Sequence, residues 1–227
     1  MANTIAHIAV AHRVLSARPE LVTLKYNYYL GSIAPDAIDS KVGAHRDDKK
    51  RVHLRTGISD NDWLKPEKMS IFDSRLEAFI KESIIDEDDP HHRDFSIGYL
   101  VHLLTDKVNH ATTRQTILKV VAPDGGAGNR SLIPKFVNEL EAMDCYLIRY
   151  HPELSALFYT VMEIPVSNCM PGWIEAEYIE KSLKWWKYQY IPSIQSRKPE
   201  ILKPQDIDEF VDKATEYILS ELDRIFK

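Results

Sequence analysis

The stretch GYLVHLLTDKVNH, residues 98–110, decides how the rest of the chain is interpreted. Its polar residues His102, Asp106 and His110 recur at every fourth position, and residues with that spacing lie on one face of an α-helix. The residues around them are mostly apolar, so we expect this helix to be buried on nearly all sides. A buried row of imidazole and carboxylate groups is costly unless the groups are paired or ligate a metal. The sequence therefore predicts a metal site centred on this helix.

Helix geometry limits how the row can be used. Neighbouring members lie about 6 Å apart along the axis, whereas His102 and His110 are separated by roughly 12 Å. Zinc–ligand bonds of about 2 Å cannot bring both histidines onto one ion. Either Asp106 bridges two metals with a histidine on each side, or His110 only orients a neighbouring group. The alternative without metal is a hydrogen-bonded Asp–His pair that ties helices together.

Helical patterns extend over the remainder of the chain. Proline, which is favoured in the first turn of a helix, opens predicted helices at Pro66, Pro90, Pro134 and Pro204. The helix from Pro90 can run past His110 to about residue 118, while residues 32–44 and 122–131 are predicted as loops. No segment shows the alternation of a strand. We predict an all-α fold, in which residues 1–227 form a single-domain bundle of about eight helices around a buried metal site.

Composition is typical of a soluble globular protein. The 227 residues are 44% hydrophobic and 28% charged, and the net charge of −5 provides no global basic field for nucleic acid. Cys145 and Cys169 have neither zinc-ribbon spacing nor the density of a disulfide scaffold, so we expect reduced thiols. Polar residues interrupt the N-terminal apolar residues, and no run approaches a membrane span of about 18 residues. We expect a cytoplasmic protein without a transmembrane segment.

Three further candidate ligands come from other parts of the chain. His7 lies among apolar residues near the start of the first predicted helix, where it could equally be a core residue. Asp36 follows Pro35 in the predicted loop and could instead cap the next turn. His53, in KKRVHLR (49–55), is flanked by apolar residues that indicate partial burial. Each of these candidates is weak when it is taken alone.

Their order along the chain carries a resemblance. The series His7, GSIAPD (31–36), RVHLR (51–55) and GYLVHLLTD (98–106) resembles the zinc-dependent phospholipase C family, which is distantly akin to zinc-dependent single-strand nucleases. The resemblance covers about the first half of the chain. It implies an all-α fold that encloses a multinuclear zinc cluster and hydrolyses phosphodiester bonds.

The resemblance also implies a ligand set. Asp36, His53, His102 and Asp106 would bind one zinc ion, and Asp106 would bridge to a second ion held partly by His7. The family completes a third site with a more distant histidine and a later His-x3-Glu. Here the next histidine is already His110, and the later helix, residues 136–144, offers Glu141 but no histidine. We therefore expect two Zn²⁺ ions, with His110 and Glu141 as further ligand candidates.

Together with the predicted metal site, the resemblance implies a metal-dependent hydrolase of phosphoester bonds, most simply phosphodiesters, with Asp36 and Asp106 as catalytic residues. A phosphorylated small molecule or a phospholipid head group would be the substrate, and no strong nucleic-acid signal is present. The alternatives are a nucleotide phosphohydrolase that uses the same site and a non-catalytic, metal-stabilised helical interaction module. The basic run Lys49–Arg55 could attract phosphate or be a solvated helix face. The aromatic residues of the predicted helix 173–190 could line a substrate pocket or pack in the core.

Overall fold

Helices are the only regular secondary structure in the parts of the chain that the computed structural model describes, which are residues 3–122, 132–166 and 174–227. Over these residues the predicted all-α fold is confirmed. The loop predicted over residues 122–131 lies, except for Ala122, outside the described residues, as do Cys169 and Trp173. Cys145 is a buried free thiol.

The bundle contains more helices than predicted. The first six are α1 (Thr4–Ala17), α2 (Lys25–Gly31), α3 (Arg46–Val52), α4 (Pro66–Ile80), α5 (Pro90–Ala111) and α6 (Thr113–Val121). The other five are α7 (Ile133–Tyr150), α8 (Pro152–Val161), α9 (Ala176–Trp185), α10 (Ile191–Ile194) and α11 (Pro204–Ile225). A π-helical turn, Trp186–Tyr190, joins α9 to α10 without a break. If α9, this turn and α10 are counted as one continuous helix, the described residues form ten helices rather than the predicted number of about eight.

Two local predictions were wrong. The segment predicted as a loop at residues 32–44 contains a 3-10 helix, Ala34–Ser40, with Pro35 in its first turn. The helix from Pro90 ends at Ala111 rather than near residue 118, because Thr112 has φ −118° and ψ −87°, outside the helical region. The first difference matters for the site, since it fixes the backbone on both sides of Asp36.

Helices α2 and α5 cross at van der Waals contact of their backbones. A Cβ atom on Gly98 would lie 1.9 Å from the carbonyl oxygen of Tyr28, and one on Gly31 would lie 1.9 Å from that of Phe95. Both positions therefore require glycine, because any side chain would push the two helices apart. This close crossing brings the end of α2, and the chain that follows it, next to the middle of α5.

Helix α1 runs through the centre of the bundle and packs against α5, α7, α8 and α11. Its first half, from Thr4 to Ala11, is buried. Among the described residues, no helix combines the length and the apolarity needed to cross a bilayer. The core of the bundle thus surrounds α1 and α5, the two helices that carry four of the predicted ligands.

Candidate metal centre

Five predicted ligands converge at the centre of the bundle. We call them the ligand cluster: His7, Asp36, His53, His102 and Asp106. They form two overlapping groups that could each hold a metal ion, one of His7, His102 and Asp106 and the other of Asp36, His53 and His102. Four of the five side chains are at most 1% exposed, and Asp36 is 13% exposed.

Four separate elements supply the ligand cluster. His7 comes from α1, Asp36 from the 3-10 helix, and His53 from the residue that ends α3. His102 and Asp106 lie one turn apart on α5, as their spacing predicted. Residues as much as 99 positions apart in sequence therefore meet at one point, which only the packing of the bundle can achieve.

The distances within the cluster are too long for a network of Asp–His hydrogen bonds. The Nε2 atom of His53 lies 3.5 Å from Oδ1 of Asp36 and 3.7 Å from Oδ2 of Asp106. Nε2 of His102 is 3.8 Å from that same Asp106 oxygen. Hydrogen bonds between such groups would measure about 2.7–3.2 Å. The alternative of a hydrogen-bonded Asp–His pair as a helix tie therefore does not account for the arrangement.

The same distances fit ligands around one ion. Tetrahedral zinc with bonds of about 2.0–2.1 Å places neighbouring ligand atoms about 3.4 Å apart. The two Nε2 atoms of His53 and His102 are 3.2 Å apart, and the distances to the two carboxylates lie between 3.5 and 3.8 Å. Asp36, His53 and His102 thus form one group whose ligand atoms could surround a single ion, and Asp106 approaches both histidines from the side of His7.

Backbone carbonyls orient both imidazole rings toward this point. Nδ1 of His102 donates to the carbonyl of Ser32 at 2.8 Å, and Nδ1 of His53 donates to that of Lys49 at 2.7 Å. A carbonyl can only accept, so the neutral form of each ring presents an unprotonated Nε2 to the centre. Two facing nitrogen lone pairs repel each other unless a cation lies between them. Hydrogen bonds of this kind are also what fixes metal-ligating histidines in known sites.

A second ion position lies beside the first. Oδ1 of Asp106 faces Nε2 of His7 at 3.6 Å, while its other oxygen faces His53 and His102. Neither ring nitrogen of His7 has a hydrogen-bond partner among the described residues, and its ring stacks on that of His102 with centroids 3.7 Å apart. The carboxylate of Asp106 therefore spans the two positions, which is the disposition of a bridging ligand.

The protonation states suit metal binding. Burial lowers the pKa of His7 and holds the pKa of His102 well below the usual value of histidine, so both rings are neutral. Burial would raise the pKa of Asp36, but the positive charge of Lys49 and the contact with His53 hold it well below its usual value. Neutral imidazole and ionised carboxylate are the forms that ligate metals.

The other two predicted ligands lie away from this cluster. His110 offers no ligand atom to either group, and its ring packs against Trp63 with centroids 4.6 Å apart. Burial, with the cationic Arg114 next in importance, lowers its pKa to about 3. Glu141 likewise joins neither group and pairs instead with Arg197 at 3.1 Å. The structure therefore does not bring His110 or Glu141 to the ligand cluster.

A cavity of about 720 Å³ opens beside the cluster. Its wall includes acidic residues, lysines and aromatic residues, among them Asp36, Glu141, Lys49, Trp185, Trp186 and Tyr190. Asp36 is the one member of the ligand cluster that contributes to this wall. Trp186 and Tyr190 are largely buried, whereas Trp185 is 45% exposed and stacks on Tyr190. The aromatic residues of this helix thus both pack in the core and line the cavity.

The sequence offered Asp144 beside Glu141 on the helix 136–144, but its role in positioning the site was not predicted. Asp144, on α7, accepts hydrogen bonds from the backbone N–H groups of Ile5 and Ala6 at 3.1 and 3.0 Å. It acts as the cap at the start of α1, directly before His7, although Asn3 is the residue in the N-cap position. No local sequence signal could identify this cap, because Asp144 lies 139 positions from Ile5.

We expect Asp144→Ala to weaken the second ion position selectively. The substitution leaves two buried N–H groups at the start of α1 unsatisfied, so it should lower the free energy of unfolding by about 2 kcal/mol. Because α1 carries His7, the ion near His7 should be lost before the ion held by His53 and His102. Metal titration of the folded variant should show one tight equivalent instead of two. Equal loss of both ions would contradict this assignment, and Asp208→Ala, a partly exposed aspartate, is the control.

Comparisons with known proteins add no family assignment. No family model matches the chain, and neither a curated protein nor a solved structure matches it.

Proposed function

We propose that this protein is a metal-dependent hydrolase of phosphoester bonds, with phosphodiesters as the expected class and two zinc ions as the expected cofactor. The observation that carries the proposal is the pair of Nε2 atoms of His53 and His102, which lie 3.2 Å apart in two rings whose Nδ1 atoms each meet a backbone carbonyl. The ionised carboxylate of Asp36 lies 3.5 Å from Nε2 of His53, and that of Asp106 lies 3.7 and 3.8 Å from the Nε2 atoms of His53 and His102.

The chemistry of such a centre suits phosphoryl transfer. Zinc ions bound there would lower the pKa of a water molecule and polarise the oxygens of a phosphate group. The chain's own residues supply the remaining requirements. Asp106 presents one oxygen to each ion position, so it fixes their separation. Asp36 lies at the boundary between the cluster and the cavity, where it would meet both metal and substrate.

Lys49 provides a positive charge at the same boundary. Its ammonium group lies 3.3 Å from the carboxylate of Asp36 and lines the cavity. Burial would lower the pKa of Lys49, but the carboxylates of Asp36 and Asp39 raise it above its usual value. The side chain therefore stays charged at neutral pH and can donate to a non-bridging oxygen of a phosphate group.

The cavity is large enough to hold more than the phosphate. A volume of about 720 Å³ lies within the range of small-molecule sites. Its wall combines aromatic faces with a few polar groups, which favours a substrate with an apolar or aromatic portion attached to the phosphate. A phospholipid head group and a nucleotide both meet that description, and a substrate panel would separate them.

Metal analysis with an activity assay tests the proposal. Protein purified without chelator should contain two equivalents of zinc and should hydrolyse a generic aryl phosphodiester. Chelation should abolish the activity and added zinc should restore it, because the proposed nucleophile is a water molecule activated by the metal. His102→Gln should lose metal and activity, whereas His151→Gln, a partly exposed histidine outside the cluster, should retain both.

The other outcomes have defined meanings. Metal content near zero in the folded protein would contradict both the metal centre and the hydrolase. Tightly bound zinc without turnover on diesters, monoesters or nucleotides would favour the non-catalytic helical module instead.

A further inference from the structure

A second, smaller cavity of about 120 Å³ lies on the other side of Lys49. Five basic residues line it: Arg46, Lys49, Lys50, Arg55 and Arg114. Asp60 and His110 complete the lining, and we call this cavity the basic pocket. Of the run Lys49–Arg55, Lys49, Lys50 and Arg55 belong to it. These three residues therefore face a common concave site rather than only a solvated helix surface.

The carboxylates around the basic pocket do not balance its charge. Among the described residues, Asp60 is the one acidic residue in the lining, and it is shared between Arg46 and Arg55. The nearest carboxylate to Lys50 belongs to the exposed Asp47, at 3.8 Å. Arg114 has no carboxylate within ion-pair distance among the described residues, and its guanidinium packs over the ring of Phe136 instead. Lys49 is paired with Asp36 and Asp39, which lie outside the lining. The excess of positive charge therefore comes from Arg46 and Arg55, which share one carboxylate, and from Arg114.

Arg55 makes this pocket a built site. Its side chain is 4% exposed, and its guanidinium stacks over the ring of Trp63 at 3.9 Å and donates to Asp60. The Nε–H group has no hydrogen-bond partner among the described residues. A buried cation with a free donor is costly unless an acceptor is supplied. Trp63 also contacts the ring of His110, so one aromatic residue holds two parts of the lining in place.

We propose that the basic pocket binds an oxyanion of the phosphate class, at a position separate from the metal centre. Arginine and lysine donors arranged around a small space suit a multiply charged tetrahedral anion. A volume of about 120 Å³ is enough for a phosphate group. His110 follows Asp106 by one helical turn, which places the pocket about 6 Å along α5 from the cluster.

Lys49 lies between the basic pocket and the large cavity. Its side chain lines both the basic pocket and the large cavity. Anions in the two cavities would therefore both lie near this one ammonium group. The anion in the basic pocket can come from two sources: a second phosphate group on the substrate, or free inorganic phosphate.

Binding of inorganic phosphate to the metal-free protein tests the site. After chelation, the indole N–H signal of Trp63 should shift in proton–nitrogen correlation spectra and saturate as phosphate is added. The double variant Lys50→Gln, Arg114→Gln should weaken binding by about tenfold or more, since hydrogen bonds to charged groups contribute about 1.5–3 kcal/mol. Lys213→Gln, an exposed lysine paired with Glu209, should bind as the unchanged protein does.

A second measurement covers the case in which chelation unfolds the chain. In the zinc-loaded protein, the unchanged sequence should bind one more equivalent of phosphate than the double variant. Absence of a saturable shift in the folded metal-free protein, or identical binding by the double variant, would overturn the proposal. Neither measurement depends on turnover, so its outcome is independent of the proposed hydrolase activity.

The source of the anion is resolved by kinetics, and this arm rests on the proposed function. Two aryl phosphodiesters are compared, one of which carries a second phosphate group. If the double variant raises KM only for the bisphosphorylated substrate, the pocket receives the second phosphate of the substrate. If KM changes for neither while phosphate binding is lost, the ligand is free phosphate. Both results support the oxyanion site.

Discussion

Asp106→Asn is expected to lower the rate of phosphodiester hydrolysis by at least about 10³-fold, because metal catalysis contributes several kcal/mol to the barrier. The same change should reduce bound zinc from two equivalents to one or fewer. Asp106 is the residue whose two oxygens face different ion positions, Oδ1 toward His7 and Oδ2 toward His53 and His102. An amide of the same shape keeps one acceptor oxygen, but it replaces the other with an NH₂ group that cannot ligate a metal.

The measurement combines metal analysis with kcat on an aryl phosphodiester. Asp89→Asn is the matched control, since Asp89 caps the first turn of the same helix and asparagine caps equally well. Circular dichroism should show an unchanged helix content for both variants. Full zinc content and full activity in Asp106→Asn would refute the bridging role.

The helices that sequence could locate are those with local signals. Pro66, Pro90 and Pro204 each open a helix as predicted, because proline fits the first turn and is excluded from later ones. The break at Thr112 has no such signal, since neither glycine nor proline stands there. The 3-10 helix Ala34–Ser40 was not predicted, because its local signals indicate a loop. Pro35 and Asp36 are typical of loops, and tertiary packing rather than propensity orders them.

The ligands of the metal centre likewise fall into those that local spacing predicts and those that it does not. Helical spacing predicted that His102 and Asp106 share a face of one helix, and the rise of that helix already excluded His110 from the same ion. The convergence of His7, Asp36 and His53 was accessible only through the resemblance to a known family. Their separations in sequence carry no geometric information before the helices are packed.

The positions of His110 and Glu141 show what spacing omits. A histidine on the polar row can still pack against an aromatic neighbour instead of a metal. The ring of His110 packs in this way against Trp63, which lies outside the helix. Glu141 finds its partner in Arg197, on the chain that follows α10. In both cases the partner lies more than 40 positions away in sequence. Spacing identifies which groups can approach a site, and long-range packing decides which of them reach it.

Gly98→Ala is expected to lower the free energy of unfolding by about 3 kcal/mol, through overpacking. A methyl group there would lie 1.9 Å from the carbonyl oxygen of Tyr28. The contact is with backbone, so no side-chain rotation relieves it, and α2 must move away from α5. Alanine also gains about 1 kcal/mol in helix propensity over glycine. At 1.9 Å the clash with the backbone is the larger of the two effects, so we expect a net loss of stability.

The same movement should weaken zinc binding, because the residue that caps the end of α2 supplies the carbonyl that orients His102. Ser32 follows the last residue of α2, and its carbonyl accepts the hydrogen bond from Nδ1 of His102 at 2.8 Å. Loss of such an orienting contact in other metal sites costs about 10- to 100-fold in affinity. Chemical denaturation and zinc titration measure the two effects. Gly43→Ala is the control: it has open space but φ +70°, so backbone strain alone should cost about 1–2 kcal/mol and leave zinc affinity unchanged. If both variants lost equal stability and kept equal zinc affinity, the close crossing of α2 and α5 would not be what positions His102.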